Sequence, residues 1–234
     1  MERREILALL ALAVAALAVR SLPVHAQAGE APQTIARWNA SNTTCRNAAT
    51  PALEAIGACE QRDLFSKLLA QMNQCYGPSG NGGPPGWSPC DAAKAAQDSA
   101  LARTTAPFHR RGGVFVLPAL LNGGTETYFV VDSGASNVQI PQEIVDALTR
   151  QGTVGPGDFL GDRGFVVADG RKLVQRLVRL RSIRVGNRTM DNVLAAVGAP
   201  HSQALLGQSL LRRLNWWKID NVRNAIELEF TGSF

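Results

Sequence analysis

The chain has 234 residues, of which 45% are hydrophobic, and its formal net charge is +5. This length can bury a core in one large domain or two small ones, and composition alone does not choose between them. The excess of positive charge lies in residues 108–234, with fifteen Lys and Arg against eleven Asp and Glu. Without a recognisable reader motif, this excess does not indicate nucleic-acid binding.

The first 26 residues have the pattern of a cleaved signal peptide. Arg3 and Arg4 precede an uncharged apolar run over Ile6–Val19, and Arg20, Pro23 and a short stretch ending in Val24-His25-Ala26 follow. This pattern is a basic region, an apolar region and a cleavage region in order. The run of 14 residues is shorter than the roughly 20 that a spanning helix needs. We therefore expect a periplasmic or secreted protein, and favour cleavage over an uncleaved membrane anchor.

Residues 27–103 are predicted to form a small helical module. Residues 27–44 are small and polar, and we expect them to lead loosely into the fold. One helix is predicted to begin near Pro51, and a second is indicated by apolar residues at spacings of three to four. The latter are Leu64, Leu68, Leu69 and Met72. A Gly- and Pro-rich loop follows over 77–89, and an alanine-rich helix over 91–103.

All four cysteines lie within this module. They are Cys45, Cys59, Cys75 and Cys90. In an oxidising compartment they predict two disulfides, and a metal site is disfavoured because neither a CxxC spacing nor a histidine occurs in the stretch. Of the three possible pairings we favour Cys59 with Cys75 inside Cys45 with Cys90, since the segments between them have the pattern of a helical hairpin.

A second domain is predicted over 108–234, after a linker at 104–107. Its texture is that of short strands separated by glycine turns, which favours a closed β-barrel or a sandwich. The predicted strands are 114–121, 125–131, 164–168, 172–185, 188–197, 216–220 and 225–230, with short helices near 142–148 and 208–214. Pro118 lacks a ladder donor, so its strand is expected to be an edge or bulged there.

An aspartate directly follows the apolar strand that ends at Val131. A carboxylate in this position is costly unless it is hydrogen-bonded or used chemically. In the loop Asp132-Ser133-Gly134-Ala135-Ser136, the glycine permits a tight turn and can donate its N–H to the carboxylate. The alternative is an ordinary strand-end turn, because Asp, Ser and Gly are common turn residues.

The string Val130 to Ser136 resembles the Asp-Thr/Ser-Gly signature of aspartic proteases, and residues 113–230 resemble bacterial retropepsin-like proteases. The resemblance implies a mainly β chain whose retropepsin-like closed β-barrel, the acid protease fold, follows the disulfide-bonded module. That module is similar to a four-cysteine module of bacterial envelope proteins, through Cys45-Arg46, the run 58–63 and Cys75-Tyr76-Gly77. No chemistry follows from this second resemblance.

The family resemblance extends to two further motifs. A flap is matched by Val167, Ala168, Asp169 and Gly170, a hairpin that would close over a bound peptide and exclude water. The family's hydrophobic-hydrophobic-Gly motif is matched by Leu205, Leu206 and Gly207, which would pack behind the catalytic loop. By resemblance Asp132 is the catalytic residue, Ser133 supplies the hydroxyl used for contacts between subunits, and Ser136 supports the loop.

This resemblance implies an aspartic endopeptidase that needs no cofactor or metal. Two carboxylates sharing one proton would activate a water and protonate the peptide carbonyl. Only one Asp-Ser/Thr-Gly string occurs in the sequence. The second Asp132 must therefore come from another copy, which predicts a homodimer acting on a peptide or protein substrate. The alternative is a catalytically silent peptide-binding envelope protein on the same fold.

A basic run lies between the flap and the second motif. It contains no acidic residue and consists of Arg171, Lys172, Arg176, Arg179, Arg181, Arg184 and Arg188. Such a run can favour an acidic substrate segment or peripheral contact with an anionic membrane surface. The simpler interpretation is a solvated strand face.

Overall fold

The structure is a computed structural model, and it describes residues 30–77, 84–166 and 170–231. The predicted signal peptide, 1–26, lies outside these residues. None of the helices in the described ranges combines the length and apolar character that a membrane crossing requires.

The N-terminal module is a helical hairpin followed by a small β-hairpin and a third helix. Its elements are α1 (Glu30–Arg46), α2 (Ala52–Gln71), β1 (Gln74–Gly77), β2 (Gly86–Pro89) and α3 (Ala92–Ala102). Trp38 of α1 is 2% exposed, packs against the rings of Tyr76 and Trp87, and donates its indole N–H to Ser66 Oγ at 2.8 Å. One aromatic cluster thus joins α1, α2 and both short strands.

The helical hairpin begins earlier in the sequence than predicted, because its first helix is Glu30–Arg46. The segment predicted as two helices is the single helix α2, and its partner α1 was predicted as a loose lead-in. The buried face of α1 is a stripe at spacings of four, three and four, formed by Thr34, Trp38, Ser41 and Cys45. Only one of these is a large apolar residue, so hydrophobic periodicity alone does not reveal the helix.

The predicted nested disulfide pairing is wrong, because the cysteines pair in sequence order. Cys45 bonds to Cys59 and Cys75 to Cys90. Since the hairpin is formed by α1 and α2, the end of α1 faces the second turn of α2. The helix then carries the chain about 18 Å from Cys59 to Gln71. This distance separates Cys59 from Cys75, which meets Cys90 across the β1–β2 pair.

We expect both disulfides to stabilise the module measurably. Replacing Cys45 and Cys59 together by serine should lower the free energy of unfolding by about 2–4 kcal/mol, because a cross-link of this span restricts the unfolded chain. Urea unfolding would measure the loss, with the Cys75→Ser, Cys90→Ser double variant as the comparison. Peptide mapping of the unreduced protein should yield the 45–59 and 75–90 linkages, and a 59–75 linkage would contradict the structure.

The predicted linker 104–107 lies in a strand. β3 (Arg103–Pro107) pairs antiparallel with β13 (Ala225–Phe230), which pairs on its other edge with β12 (Leu214–Asp220). Thr104 and Ala106 point inward and are 6% and 1% exposed. The chain therefore enters the C-terminal part of the fold through a paired strand, and the order of this sheet is β12-β13-β3.

The C-terminal part is built around a closed ring of strands. The ring contains β5 (Val114–Leu121), β6 (Thr125–Val131), β7 (Val138–Pro141), β9 (Lys172–Val185), β10 (Arg188–Gly198) and β11 (Ala204–Leu206). Their order is β5-β6-β11-β7-β10-β9, and the pairing of β9 with β5 closes the ring. β4 (His109–Arg111) and β8 (Phe159–Val166) extend it at β5 and β9. Two α-helices, α4 (Gln142–Arg150) and α5 (Gln208–Leu211), and a 3-10 turn at Pro156–Asp158 connect the strands.

The mainly β fold class is confirmed, and the inside of the ring is the core of the domain. Alternate residues of β5 are buried there, at Leu117, Ala119 and Leu121. Pro118 is tolerated because the neighbouring strands on its outer edge pair only with residues 114–116 and 120–121. The structure adds β7 and β11, which the sequence did not predict as strands, and they lie beside the candidate site.

Candidate active site

Asp132 directly follows the last residue of β6, at the edge of the ring of strands. Phe129 and Val130 are buried and Asp132 is half-buried, so the carboxylate emerges at the rim of the core. The N–H of Asp132 donates to Leu206 O at 3.2 Å, and the N–H of Gly134 donates to Asp132 Oδ1 at 2.9 Å. A backbone donor aimed at one oxygen fixes the carboxylate and leaves Oδ2 for other partners.

The predicted second motif lies directly behind this loop. Leu205 and Leu206 belong to β11, which inserts parallel to β6 and antiparallel to β7. Gly207 follows with no room for a side chain, because an added Cβ would meet Asn137 O at 2.2 Å and Ala135 O at 2.8 Å. The structure thus brings together the Asp132 loop and the Leu205-Leu206-Gly207 motif.

Two residues that sequence reasoning missed complete the support of the loop. Gln208 donates its backbone N–H to Ala135 O and its side-chain Nε2 to Ser133 O, both at 2.8 Å. Ser209 Oγ accepts from the N–H of Val138 at 2.8 Å and donates to Leu194 O at 2.6 Å. Their position immediately after Gly207 was the only sequence signal. Ser133 and Ser136 are exposed.

The loop opens on a cleft of about 280 Å³. Besides the loop residues, its walls come from β7 to β11 and are formed by Gln139, Phe165, Val166, Gln175, Ala196 and Leu205. Asp132 is the only Asp or Glu among the described residues that line it. The volume lies just below the roughly 300–1,000 Å³ typical of ligand sites. One copy of the chain therefore offers a carboxylate and a small, mixed cleft.

The structure describes the two strands of the predicted flap but only part of its tip. β8 and β9 form an antiparallel hairpin, with Val166 opposite Lys172 and Phe165 opposite Leu173. Val167, Ala168 and Asp169 lie outside the described residues, and Gly170 has φ of +82°. The hairpin presents exposed apolar side chains, since Val166 and Val174 are 70% and 74% exposed. Such a surface beside a carboxylate suits contact with an extended peptide or a partner.

Three residues of the predicted basic run form ion pairs. Arg179 and Arg181 both contact the buried carboxylate of Asp158, at 2.5 and 3.4 Å, and Arg176 lies 3.6 Å from Asp162. Within the described part of the chain, no three His, Cys, Asp or Glu side chains come together as a metal site would require.

Comparison with known proteins confirms the predicted resemblance. Residues 117–213, from β5 to the end of the α5 turn, match the family described as "gag-polyprotein putative aspartyl protease". The match spans 97 of the 234 residues and includes both Asp132 and Gly207. A search of curated proteins finds no match.

Several solved structures are similar to part of the chain. A retropepsin-like aspartic protease from Rickettsia conorii is 22% identical, with a TM-score of 0.39 over 55% of this chain and 90% of that one. The retroviral protease-like domain of Ddi1 from Leishmania major is 20% identical, with a TM-score of 0.35 over 50% and 93%. The EIAV protease in complex with an inhibitor is 16% identical, with a TM-score of 0.34 over 44% and 90%.

Proposed function

We propose that this chain is an exported aspartic endopeptidase of the retropepsin type, with Asp132 as its catalytic carboxylate. The observation that carries the proposal is the loop geometry. A half-buried carboxylate at a strand end is fixed by one backbone N–H and opens on a cleft. The family match over the same residues supports the assignment.

The active form is a homodimer in which two Asp132 side chains meet. Aspartic proteolysis needs two carboxyl groups about 3 Å apart that share one proton. The described cleft of one copy holds a single carboxylate, so the second must come from a twofold-related partner. The exposed apolar flap hairpin and the exposed loop face at Ser133 and Gly134 are free to take part in such a pairing.

In the proposed reaction the ionised carboxylate removes a proton from a water held between the two aspartates. That water attacks the peptide carbonyl carbon while the protonated carboxyl donates its proton to the carbonyl oxygen. Collapse of the tetrahedral intermediate breaks the C–N bond and a proton passes to the leaving amine. An acidic to mildly acidic optimum is expected, because the reaction needs one carboxyl group protonated and the other ionised.

The substrate is a peptide or an envelope protein held in extended form. The hairpin of β8 and β9 forms one wall of the cleft, and Phe165 and Val166 supply its apolar surface. Closure of such a hairpin excludes water from the reacting bond. The two disulfides of the module fit an oxidising compartment, which supports export to the periplasm or medium.

The experiment that tests this proposal measures cleavage of a mixed peptide library, between about pH 4 and 7, over a wide range of protein concentrations. We expect the specific activity to rise with concentration and then level off, because only the dimer has both carboxylates. Sedimentation analysis should place the dimerisation midpoint at the same concentration. A protein that is dimeric throughout but cleaves nothing would instead be a peptide-binding protein on this fold.

A further inference from the structure

A cluster of polar side chains fastens the N-terminal module to the segment behind the catalytic loop. We call this cluster the polar junction. Four members lie on α2, one on β10, and two directly after α5. They are Glu60, Arg62, Asp63 and Lys67, then Asn192, then Arg212 and Arg213.

The centre of the junction is a buried carboxylate between two guanidinium groups. Arg62 Nη2 lies 2.9 Å from Asp63 Oδ1, and Arg213 Nε lies 2.7 Å from Asp63 Oδ2. These three residues are 6%, 3% and 3% exposed in chain order. Buried charges are tolerated only when paired in good geometry, so each side chain fixes the others. Because Asp63 belongs to the module and Arg213 follows α5, the contact crosses between the two parts.

Further hydrogen bonds surround this centre. Lys67 Nζ donates to Arg212 O at 2.9 Å and to Leu214 O at 2.8 Å, and Arg212 Nη2 lies 2.6 Å from Glu60 Oε1. Burial lowers the pKa of Lys67, and the charge of Asp63 partly opposes this. The chain segment 212–214 is thus held by donors and acceptors from one face of α2.

The module disulfide also takes part. Asn192 has φ of +49°. The paired residues of β9 and β10 include Asp191 and Val193 on either side of it, but not Asn192 itself. Its side chain donates to Cys45 O at 2.8 Å, while Arg213 Nη1 donates to the carbonyls of Asp191 and Asn192 at 2.8 and 3.2 Å. Arg213 is therefore the common partner of α2 and of the part of β10 that contacts the disulfide.

The same arginines end the turn that supports the catalytic loop. The N–H of Leu211 donates to Gly207 O, and that of Arg212 to Gln208 O, at 3.0 and 3.1 Å. Gln208 in turn holds Ser133 and Ala135 by the two hydrogen bonds described above. Gln208 and Arg213 are five positions apart, about 7.5 Å at the helical rise. A single hydrogen-bonded turn therefore links the polar junction to the Asp132 loop.

We propose that the four-cysteine module positions the catalytic loop through the polar junction, with Arg213, Asp63 and Lys67 as positioning residues. This inference rests on the proposed protease function, which it extends to a task for the module. The module holds segment 212–214, segment 212–214 holds α5, and α5 holds the backbone from Ser133 to Ala135. A displaced loop would alter the separation of the paired carboxylates and so slow the chemical step while leaving the cleft walls in place.

Two variants test the inference in the full chain. Arg213→Met replaces the guanidinium by an unbranched apolar side chain and leaves Asp63 paired with Arg62, so no isolated charge is buried. Lys67→Met changes only the module side. Arg223→Met is the matched control, because Arg223 is an exposed arginine paired with Asp220 and Glu227 away from the junction.

The first readout does not depend on activity. Hydrogen exchange of the Asp132 and Gln208 amides should become about tenfold faster in Arg213→Met and less so in Lys67→Met, since the turn opens more often. The control should match the wild type. The inference would be overturned if a variant loosened the module, seen as faster exchange of the α2 amides, while exchange of the Asp132 and Gln208 amides stayed unchanged. So would equal acceleration in the control.

The second readout is the kinetics of peptide cleavage, measured where circular dichroism shows each variant folded. We expect kcat to fall about 10- to 100-fold in Arg213→Met while KM stays within about twofold, because positioning acts on the chemical step. An unchanged kcat would overturn the inference. If Arg213→Met does not fold, the same comparison of kcat and KM in Lys67→Met tests the inference. If the wild type cleaves nothing, the proposed function fails, and the exchange data still decide whether the module holds the loop.

Discussion

Replacing Asp132 by asparagine should abolish peptide cleavage while leaving the fold intact. Asparagine has the same shape, and its side-chain oxygen can still accept the Gly134 N–H that now lies 2.9 Å from Asp132 Oδ1. It cannot share or transfer the proton that the mechanism requires, so we expect kcat to fall by about 10⁴-fold, the upper end of general acid–base contributions. Thermal unfolding of the variant should match that of the wild type.

Mixing the Asp132→Asn chain with the wild type distinguishes a shared site from a site within one chain. Random pairing at equal amounts leaves half of the wild-type copies with an inactive partner, so their activity should fall to about one half. A fourfold excess of the variant should reduce it to about one fifth by the same pairing. The Asp146→Asn variant is the control, because Asp146 lies on α4 outside the cleft. Activity that is insensitive to added variant would contradict the two-copy site.

Replacing Gly207 by alanine should damage both stability and catalysis. The added methyl would lie 2.2 Å from Asn137 O and 2.6 Å from Asn137 C, both backbone atoms of the loop that carries Asp132. The loop must move, and overpacking of this kind costs about 1–3 kcal/mol. The backbone of Gly207 is extended, with φ of −99°, so the penalty comes from lost space and not from backbone strain.

We expect kcat for Gly207→Ala to fall about 100-fold, because displacement of the loop by about 1 Å disturbs the reacting geometry. Denaturant unfolding and peptide cleavage measure the two effects separately. Gly157→Ala is the matched control, since a Cβ there meets no atom within 4 Å. A Gly207→Ala protein with wild-type kcat would show that the loop does not depend on this close approach.

The β domain was largely predictable from the sequence because its strands have strong local signals. The hairpin of β5 and β6 has alternating burial and a turn at Asn122 and Gly123, which adopt φ of +48° and +77°. β7 and β11 were missed because strands of four and three residues carry too little periodicity to detect. Their role depends on long-range pairing, because β11 pairs with β6 between residues 75 positions apart and β7 pairs with β11 between residues 66 positions apart.

The candidate site could be predicted where it consists of a continuous motif, and not where it depends on residues brought together by folding. Asp132 and Gly207 stand in recognisable strings, and the structure brings them together. Gln208 and Ser209 act through backbone atoms of distant segments, so neither has a signature in the sequence. The disulfide pairing was mispredicted because it follows from α1, a helix whose buried face contains one large apolar residue.

The pairing of β3 with β13 defines how far the chain can be shortened. A protein beginning at Phe108 would lose the strand that carries the inward-facing Thr104 and Ala106, and would leave one edge of β13 without its partner. Thr104 also receives a hydrogen bond from the N–H of Asn187 at the turn between β9 and β10. Unpaired edges recruit strands from other molecules. The smallest autonomous unit containing Asp132 therefore begins no later than Arg103, the first residue of β3.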